Sequence, residues 1–199
     1  MKRKIGTVCM TLGAVLILAA LSLFLWNRWE DSQAGVSVEV ILPQVIEQVE
    51  EDAGTADPYS TEMPEAEVDG YEYIGYLSIP SLGLELPVMS DWSYPQLRIA
   101  PCRYCGSVKT EDLVIAAHNY SRHFGNIKNL PPGAEVYFTE MDGTVTAYEV
   151  AETDTLNPTA VEEMTDSGYA LTLFTCTYGG QSRVTVRCSL LEGQQDAEP

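Results

Sequence analysis

The run Leu171-Thr172-Leu173-Phe174-Thr175-Cys176 is apolar, β-prone and ends on a cysteine, and seven residues later stands Arg183. Upstream, Val114-Ile115-Ala116-Ala117-His118-Asn119 ends a second such run on a histidine. A thiol that closes a strand is held by rigid backbone yet points into a groove at the rim. A histidine that closes a second strand can reach it, and an arginine on the following strand can donate to an oxyanion. Those are the parts of a nucleophilic acyl-transfer site. The thiolate is the reactive form, and near neutral pH a cysteine is mostly thiol unless its surroundings help. A lone cysteine is ordinarily a small buried apolar residue, and a histidine at a strand end is ordinarily structural, so neither carries the reading alone.

The elements that must hold these residues are short. β-branched or aromatic runs cut by Gly, Pro, Asn and Asp predict strands over 73–79, 85–89, 113–118, 134–140, 145–152, 170–176 and 183–191. Met141-Asp142-Gly143-Thr144 reads as a tight hairpin turn between two of them. Seven or eight strands at this spacing predict an all-β closed barrel or sandwich. Helical turns are expected over 93–99, 125–130 and 159–164, the last opened by Asn157-Pro158-Thr159. Arg183 and Arg187, four apart in an extended run, share a face of the sheet. His123 falls in a polar loop and reads as a solvent-exposed histidine.

Thr172-Leu173-Phe174-Thr175-Cys176, with an arginine on the next strand and a preceding strand ending in His118-Asn119, resembles the sortases, the cysteine transpeptidases of Gram-positive bacteria. The resemblance covers roughly residues 73–192. It includes Ile74-Gly75-Tyr76-Leu77-Ser78-Ile79-Pro80, Leu86-Pro87-Val88, and Leu130-Pro131-Pro132-Gly133 leading into Glu135-Val136-Tyr137-Phe138. It implies a closed eight-stranded sortase-type β-barrel with a few short helices. It also implies cleavage of an L-P-x-T-G-like sorting motif in secreted proteins through a thioacyl intermediate on Cys176. An amine from a peptidoglycan precursor or a pilin lysine would then resolve the intermediate, with no cofactor and no metal. By the resemblance His118 is the general acid and base, and Arg183, first in Arg183-Val184-Thr185-Val186-Arg187, is the catalytic arginine. Arg187 reads as a groove-edge or surface charge. Ala117, Asn119 and Thr175 are the implied substrate contacts. Thr175 also fits a plain β-branched strand residue, and Asn119 a turn former or a partner of His118. Asn119-Tyr120-Ser121 matches a glycosylation sequon, which a bacterial family makes unimportant. Only six residues separate Cys176 from Arg183, short by family standards, so no large recognition loop is expected there. Asp57-Pro58-Tyr59 faintly resembles the Asp-Pro-aromatic lid of pilus-building sortases, although a proline in an acidic tether gives the same triplet by chance. No second apolar span follows the domain, which also argues against that subgroup.

The chain has 199 residues, enough for one domain with extensions. Residues 5–26 carry no charge and are long enough as a helix to span the roughly 30 Å hydrocarbon core. Lys2, Arg3 and Lys4 precede them, which keeps residues 1–4 cytoplasmic and puts the rest outside, as a single-pass anchor in the cell membrane. Ser32-Gln33-Ala34 offers a cleavage site for the competing signal-peptide reading, but it lies beyond Arg28, Glu30 and Asp31. Residues 27–70 read as an acidic extracytoplasmic tether, mostly extended, with Val36 to Val49 able to form a short helix or strand that docks. Residues 71–192 are the catalytic domain and 193–199 a polar tail. All 29 acidic residues follow the anchor, where only eight Lys or Arg oppose them. A surface this negative repels nucleic acid, and no calcium loop of the D-x-D-x-D-G type is present.

Of the five cysteines, Cys9 lies in the anchor. Cys102-Arg103-Tyr104-Cys105 is a C-x-x-C without a second metal-binding pair, so zinc is disfavoured. Free or structural thiols are the leading reading for Cys102, Cys105 and Cys188, with a disulfide open. Among rival functions, a hydrolytic cysteine peptidase acting at the cell surface, of the papain or cell-wall-hydrolase type, would place Cys before His, whereas here His118 comes before Cys176. L,D-transpeptidases place Gly before the Cys and Arg two residues after it, where this chain has Thr175 and Tyr178. An inactive surface-binding barrel would be favoured by loss of His, Cys or Arg, and all three are present.

Overall fold

The computed structural model describes residues 2–55 and 60–191. The possible lid Asp57-Pro58-Tyr59 and the polar tail lie outside the described residues. The chain divides into two compact units between Gln33 and Ala34. The first belongs to a helix, α1 (Lys2–Asp52), whose apolar side chains from Val8 to Trp29 are exposed. Among the described residues it is the one helix long and apolar enough to cross a membrane.

The second unit begins with the end of α1. Ala34, Val38, Ile41, Val45 and Val49 are all buried, a 4-3-4-4 spacing that puts them on one stripe of a helix. Glu39, Pro43, Gln44, Glu47 and Glu50 lie on the exposed face. The expected extended tether is therefore helical as far as Asp52, and the docking expected of residues 36–49 is present. Average composition hid this, because the polar residues outnumber the stripe. Ile41, Val45 and Val49 pack with Val68, Tyr73, Met89, Ala100, Cys102 and Met141, while Val38 joins the main core.

The strands are β1 (Ala66–Val68), β2 (Tyr71–Ile79), β3 (Leu84–Met89), β4 (Cys102–Cys105), β5 (Leu113–Ala116), β6 (Glu135–Glu140), β7 (Val145–Leu156), β8 (Leu171–Cys176) and β9 (Arg183–Leu190). Their order is β1-β2-β3-β4-β5-β8-β9-β7-β6, and β6 pairs back onto β2. Eight strands thus close a barrel, with β1 appended. Two short helices, α2 (Tyr94–Leu97) and α3 (Val161–Thr165), decorate it. All seven expected strands are present, and the hairpin at Met141–Thr144 joins β6 to β7. The strand that closes the count, β4, is the C-x-x-C segment. It pairs antiparallel with β5 through a bulge between Arg103 and Cys105.

Inside the barrel, Leu77, Leu86, Leu113, Ile115, Val136, Phe138, Leu171, Leu173 and Val186 are fully buried in one cluster. Gly75 lets β2 pass between β3 and β6. Its φ is +139°, and a Cβ there would lie 1.9 Å from the Thr139 carbonyl oxygen. No side chain fits, so the barrel seam requires glycine.

Candidate active site

Alternation along β8 sends Leu171, Leu173 and Thr175 inward and Thr172, Phe174 and Cys176 outward. The strand on each side of β8 then decides what stands next to the thiol. β5 runs parallel to it, with Ala116 opposite Phe174, and the Ala117 N–H donates to the Phe174 carbonyl at 3.2 Å. His118 follows Ala117 directly, so it leaves β5 at the end that flanks the Cys176 end of β8. On the other flank β9 is antiparallel, and its first residue, Arg183, is the direct partner of Cys176. Opposite residues of an antiparallel pair share a face with Cβ atoms about 5 Å apart. The thiol is half-buried, with an imidazole-bearing strand on one side and a guanidinium-bearing strand on the other.

The turn from β8 to β9 is tight. The Thr177 N–H donates to the Ser182 carbonyl at 3.0 Å, and the Gly180 N–H to the Thr177 carbonyl at 2.8 Å. Arg183 Nη1 donates to the carbonyls of Gly180 and Ser182, both at 3.2 Å. Both of these bonds use Nη1 and hold the guanidinium against the turn. Arg187, opposite Thr172, is committed elsewhere. Its Nη1 pairs with Glu152 at 2.6 Å and with Asp154 at 3.6 Å, and Nη2 donates to the Glu163 carbonyl at 3.1 Å. Its guanidinium also lies over the Tyr169 ring at 5.9 Å.

The other expected site residues divide by direction. Thr175 and Ala117 are only 3% and 5% exposed. Their side chains face inward, and the Thr175 hydroxyl donates to the Ala117 carbonyl at 2.8 Å. That bond ties the end of β8 to the end of β5. Asn119 is half-buried just past His118. His123 corrects the expectation of a solvent-exposed residue: it is 0% exposed. The cause is the 3-10 segment Phe124–Asn129, whose Phe124 and Ile127 sit in the core and draw the end of the loop in with them.

The outer floor next to Cys176 is apolar. Phe174 packs with Val114, Ala116 and Met164, and Leu97, Tyr104 and Leu156 border them. Tyr104 meets Phe174 edge-on at 5.2 Å and stacks on Trp92 at 5.3 Å. Sequence reading passed over this floor. The signal was present in the alternation of β5 and β8, whose outward residues Val114, Ala116 and Phe174 are as apolar as the inward ones. A cleft of about 480 Å³ lies elsewhere. It is lined by Val38, Leu42, Pro80, Leu84 and Arg122, and a second of about 590 Å³ is lined by Met63, Glu65 and Arg103; neither includes His118 or Cys176, so size does not mark the chemistry here.

All five cysteines are free. Burial pushes the thiols of Cys102 and Cys188 up to about 12. Cys105 is raised as well, first by burial and then by Asp112. These groups stay protonated at neutral pH and are poor nucleophiles. Among the described residues no cluster of three or more His, Cys, Asp or Glu is placed to hold a metal.

The sortase family model, described as a sortase domain, matches residues 77–191. No curated protein matches the chain. Among solved structures, sortase C1 from Streptococcus suis is 26% identical, with a TM-score of 0.53 over 63% of this chain and 76% of its own. Sortase C from Streptococcus pneumoniae is 21% identical, with a TM-score of 0.56 over 78% of this chain and 96% of its own. Sortase A from Corynebacterium diphtheriae is 21% identical, with a TM-score of 0.53 over 63% of this chain and 64% of its own. The last two share the fold alone, but the family match spans more than half of the chain, and the chain belongs to the sortase family of cysteine transpeptidases.

Proposed function

We propose that this is a membrane-anchored transpeptidase acting on secreted proteins that carry an L-P-x-T-G-like sorting motif. The observation that carries the reading is the flanking of Cys176 by β5 with His118 and by β9 with Arg183. The Cys176 thiolate attacks the scissile carbonyl. Arg183 donates to the oxyanion through its guanidinium N–H groups. His118 gives a proton to the leaving amine as the C–N bond breaks, and a thioester remains on Cys176. An incoming amine attacks the thioester, loses a proton to His118, and releases the thiolate. The apolar floor of Phe174, Val114, Ala116 and Met164 suits the Leu-Pro part of such a motif. Ala117 and Thr175 serve the site through their mutual hydrogen bond, which aligns the strand ends bearing His118 and Cys176.

The acceptor is an amine of a peptidoglycan precursor or a pilin. The apolar part of α1 anchors the protein once in the cell membrane, with Lys2, Arg3 and Lys4 inside and the barrel outside. The test is the full-length protein in detergent with a Leu-Pro-Glu-Thr-Gly-Gly peptide and triglycine. The expected results are an acylated protein mass that maps to Cys176, and a transfer product that Cys176→Ala does not form. Equal product from Cys176→Ala sinks the mechanism. Hydrolysis alone at saturating amine would favour a hydrolytic peptidase instead.

A further inference from the structure

Two residues past His118 the chain carries Tyr120, and the two rings stack, with centroids 4.6 Å apart and planes 18° from parallel. Tyr120 also meets the His123 ring at 5.5 Å and 66°. The backbone beneath this stack is closely tied. The N–H groups of His123 and Gly125 both donate to the Tyr120 carbonyl, at 3.0 and 2.9 Å, and the Phe124 N–H donates to the His118 carbonyl at 3.1 Å. Gly125 approaches so closely that a Cβ would lie 2.7 Å from the carbonyl oxygens of both Asn119 and Tyr120. His123, Phe124 and Ile127 are fully buried behind the turn. Arg122, at its outer edge, pairs with Glu39 of α1.

This turn answers a mechanical need. β5 ends at Ala116, so His118 lies beyond the last ladder residue, and the strand alone does not fix its side-chain torsions. A ring stacked face to face restricts those torsions through the face of the imidazole rather than through its nitrogens. A general acid misplaced by about 1 Å loses on the order of a hundredfold in rate.

We propose that Tyr120 is a positioning residue for His118: its ring, fixed by the 120–125 turn, holds the imidazole in the plane from which it delivers a proton to the leaving amine at Cys176. The proposal rests on the transpeptidase reading above. It goes beyond that reading in assigning a role to a residue outside the Cys, His and Arg set.

The experiment has two arms on the full-length protein in detergent micelles. The first needs no substrate. The chain has two histidines, so His118→Asn assigns the imidazole carbon-bound proton signals. The Tyr120 ring current shifts the His118 signals upfield. Tyr120→Phe keeps that shift, and Tyr120→Leu moves it towards the free-imidazole position. Unchanged His118 signals in Tyr120→Leu overturn the proposal.

The second arm compares Leu-Pro-Glu-Thr-Gly-Gly with a depsipeptide whose scissile amide is an ester, both with triglycine. An alcohol leaves with far less help from a proton donor than an amine. Tyr120→Leu is expected to lose roughly 10- to 100-fold in kcat on the amide, with KM within about twofold, and about threefold or less on the ester. Tyr120→Phe stays near wild type on both, and melting curves show that each variant is folded. Equal loss on the two substrates, or Tyr120→Phe as impaired as Tyr120→Leu, overturns the proposal. If the wild type cleaves neither substrate, the transpeptidase reading fails on its own, and the imidazole spectra still decide whether Tyr120 holds His118.

Discussion

Arg183 and Arg187 lie on one face of β9, four residues and about 13 Å of strand apart. Their surroundings separate their tasks. Arg183 stands opposite Cys176 and bonds only backbone carbonyls of its own turn, whereas Arg187 is held by Glu152, Asp154 and the Glu163 carbonyl. Arg183→Lys keeps the charge but loses the planar fork, so kcat is expected to fall roughly 100-fold. Arg187→Lys is expected to leave kcat within about twofold and to cost about 0.5–1 kcal/mol of stability, since its partners are largely exposed. Steady-state kinetics and denaturation on the same two variants check this, and a reversed pattern moves the oxyanion donor to Arg187. The cysteines allow a second residue-scale prediction. Burial pushes Cys102 and Cys188 up to about 12, so brief alkylation of the folded barrel near neutral pH is expected to modify Cys176 first. Peptide mapping by mass reads the order. Early labelling of Cys102 or Cys188 would mean that the folded barrel opens at those strands.

At the scale of elements, the site is a consequence of strand order. Cys176 and Arg183 meet because β8 and β9 are a hairpin with a tight turn, and a six-residue gap between two apolar runs makes that visible in sequence. The chain ends bearing His118 and Cys176 lie on neighbouring strands because β5 pairs parallel with β8 across 58 positions, and nothing local records such a pairing. There the family resemblance supplied what periodicity could not. β4 was illegible for a different reason. It is four residues long and carries two cysteines and an arginine, which speak for metal or redox chemistry before they speak for a strand. The docked half of α1 was half-legible. Its stripe of Ala34, Val38, Ile41, Val45 and Val49 is a clear helical period, but twelve acidic residues across 30–70 argued for a solvated tether. Val45→Ala is expected to destabilise the barrel by about 2 kcal/mol, and Val40→Ala, on the exposed face, by less than about 0.5 kcal/mol. Urea denaturation of chains beginning at Ala34 distinguishes them. Equal, negligible effects would show that the helix contributes nothing to folding.

For the whole molecule, charge is the dominant global property: the formal net charge is −18 at pH 7. Such a chain repels itself when its carboxylates ionise. Carboxyl groups whose ionisation the fold disfavours act in the same sense. Glu140 is fully buried, and burial raises it above the ordinary 4.5 even though Lys109 lies at 3.3 Å and pulls it down. Glu65, at the surface, is also raised, by partial desolvation first, against the pull of Arg103. A carboxyl group raised in the folded state binds more protons there than in the unfolded chain, over the window between its two pKa values. Stability therefore falls as pH rises through that window, starting near 4.5 and ending above the folded value. The barrel is expected to be more stable near pH 5 than near pH 7, the reverse of a protein stabilised by paired surface carboxylates. Salt separates the two causes. Self-repulsion between exposed charges is screened when the Debye length shrinks from about 10 Å at 0.1 M to about 3 Å at 1 M, and the cost of ionising Glu140 inside the barrel is not. Denaturation of a chain beginning at Ala34, at both pH values and both salt levels, should therefore leave a residual pH slope at 1 M. Glu140→Gln should flatten that residual slope by removing the titrating group. A residual slope that survives Glu140→Gln unchanged would assign it to other carboxylates and show that Glu140 is ionised in the folded barrel at little cost.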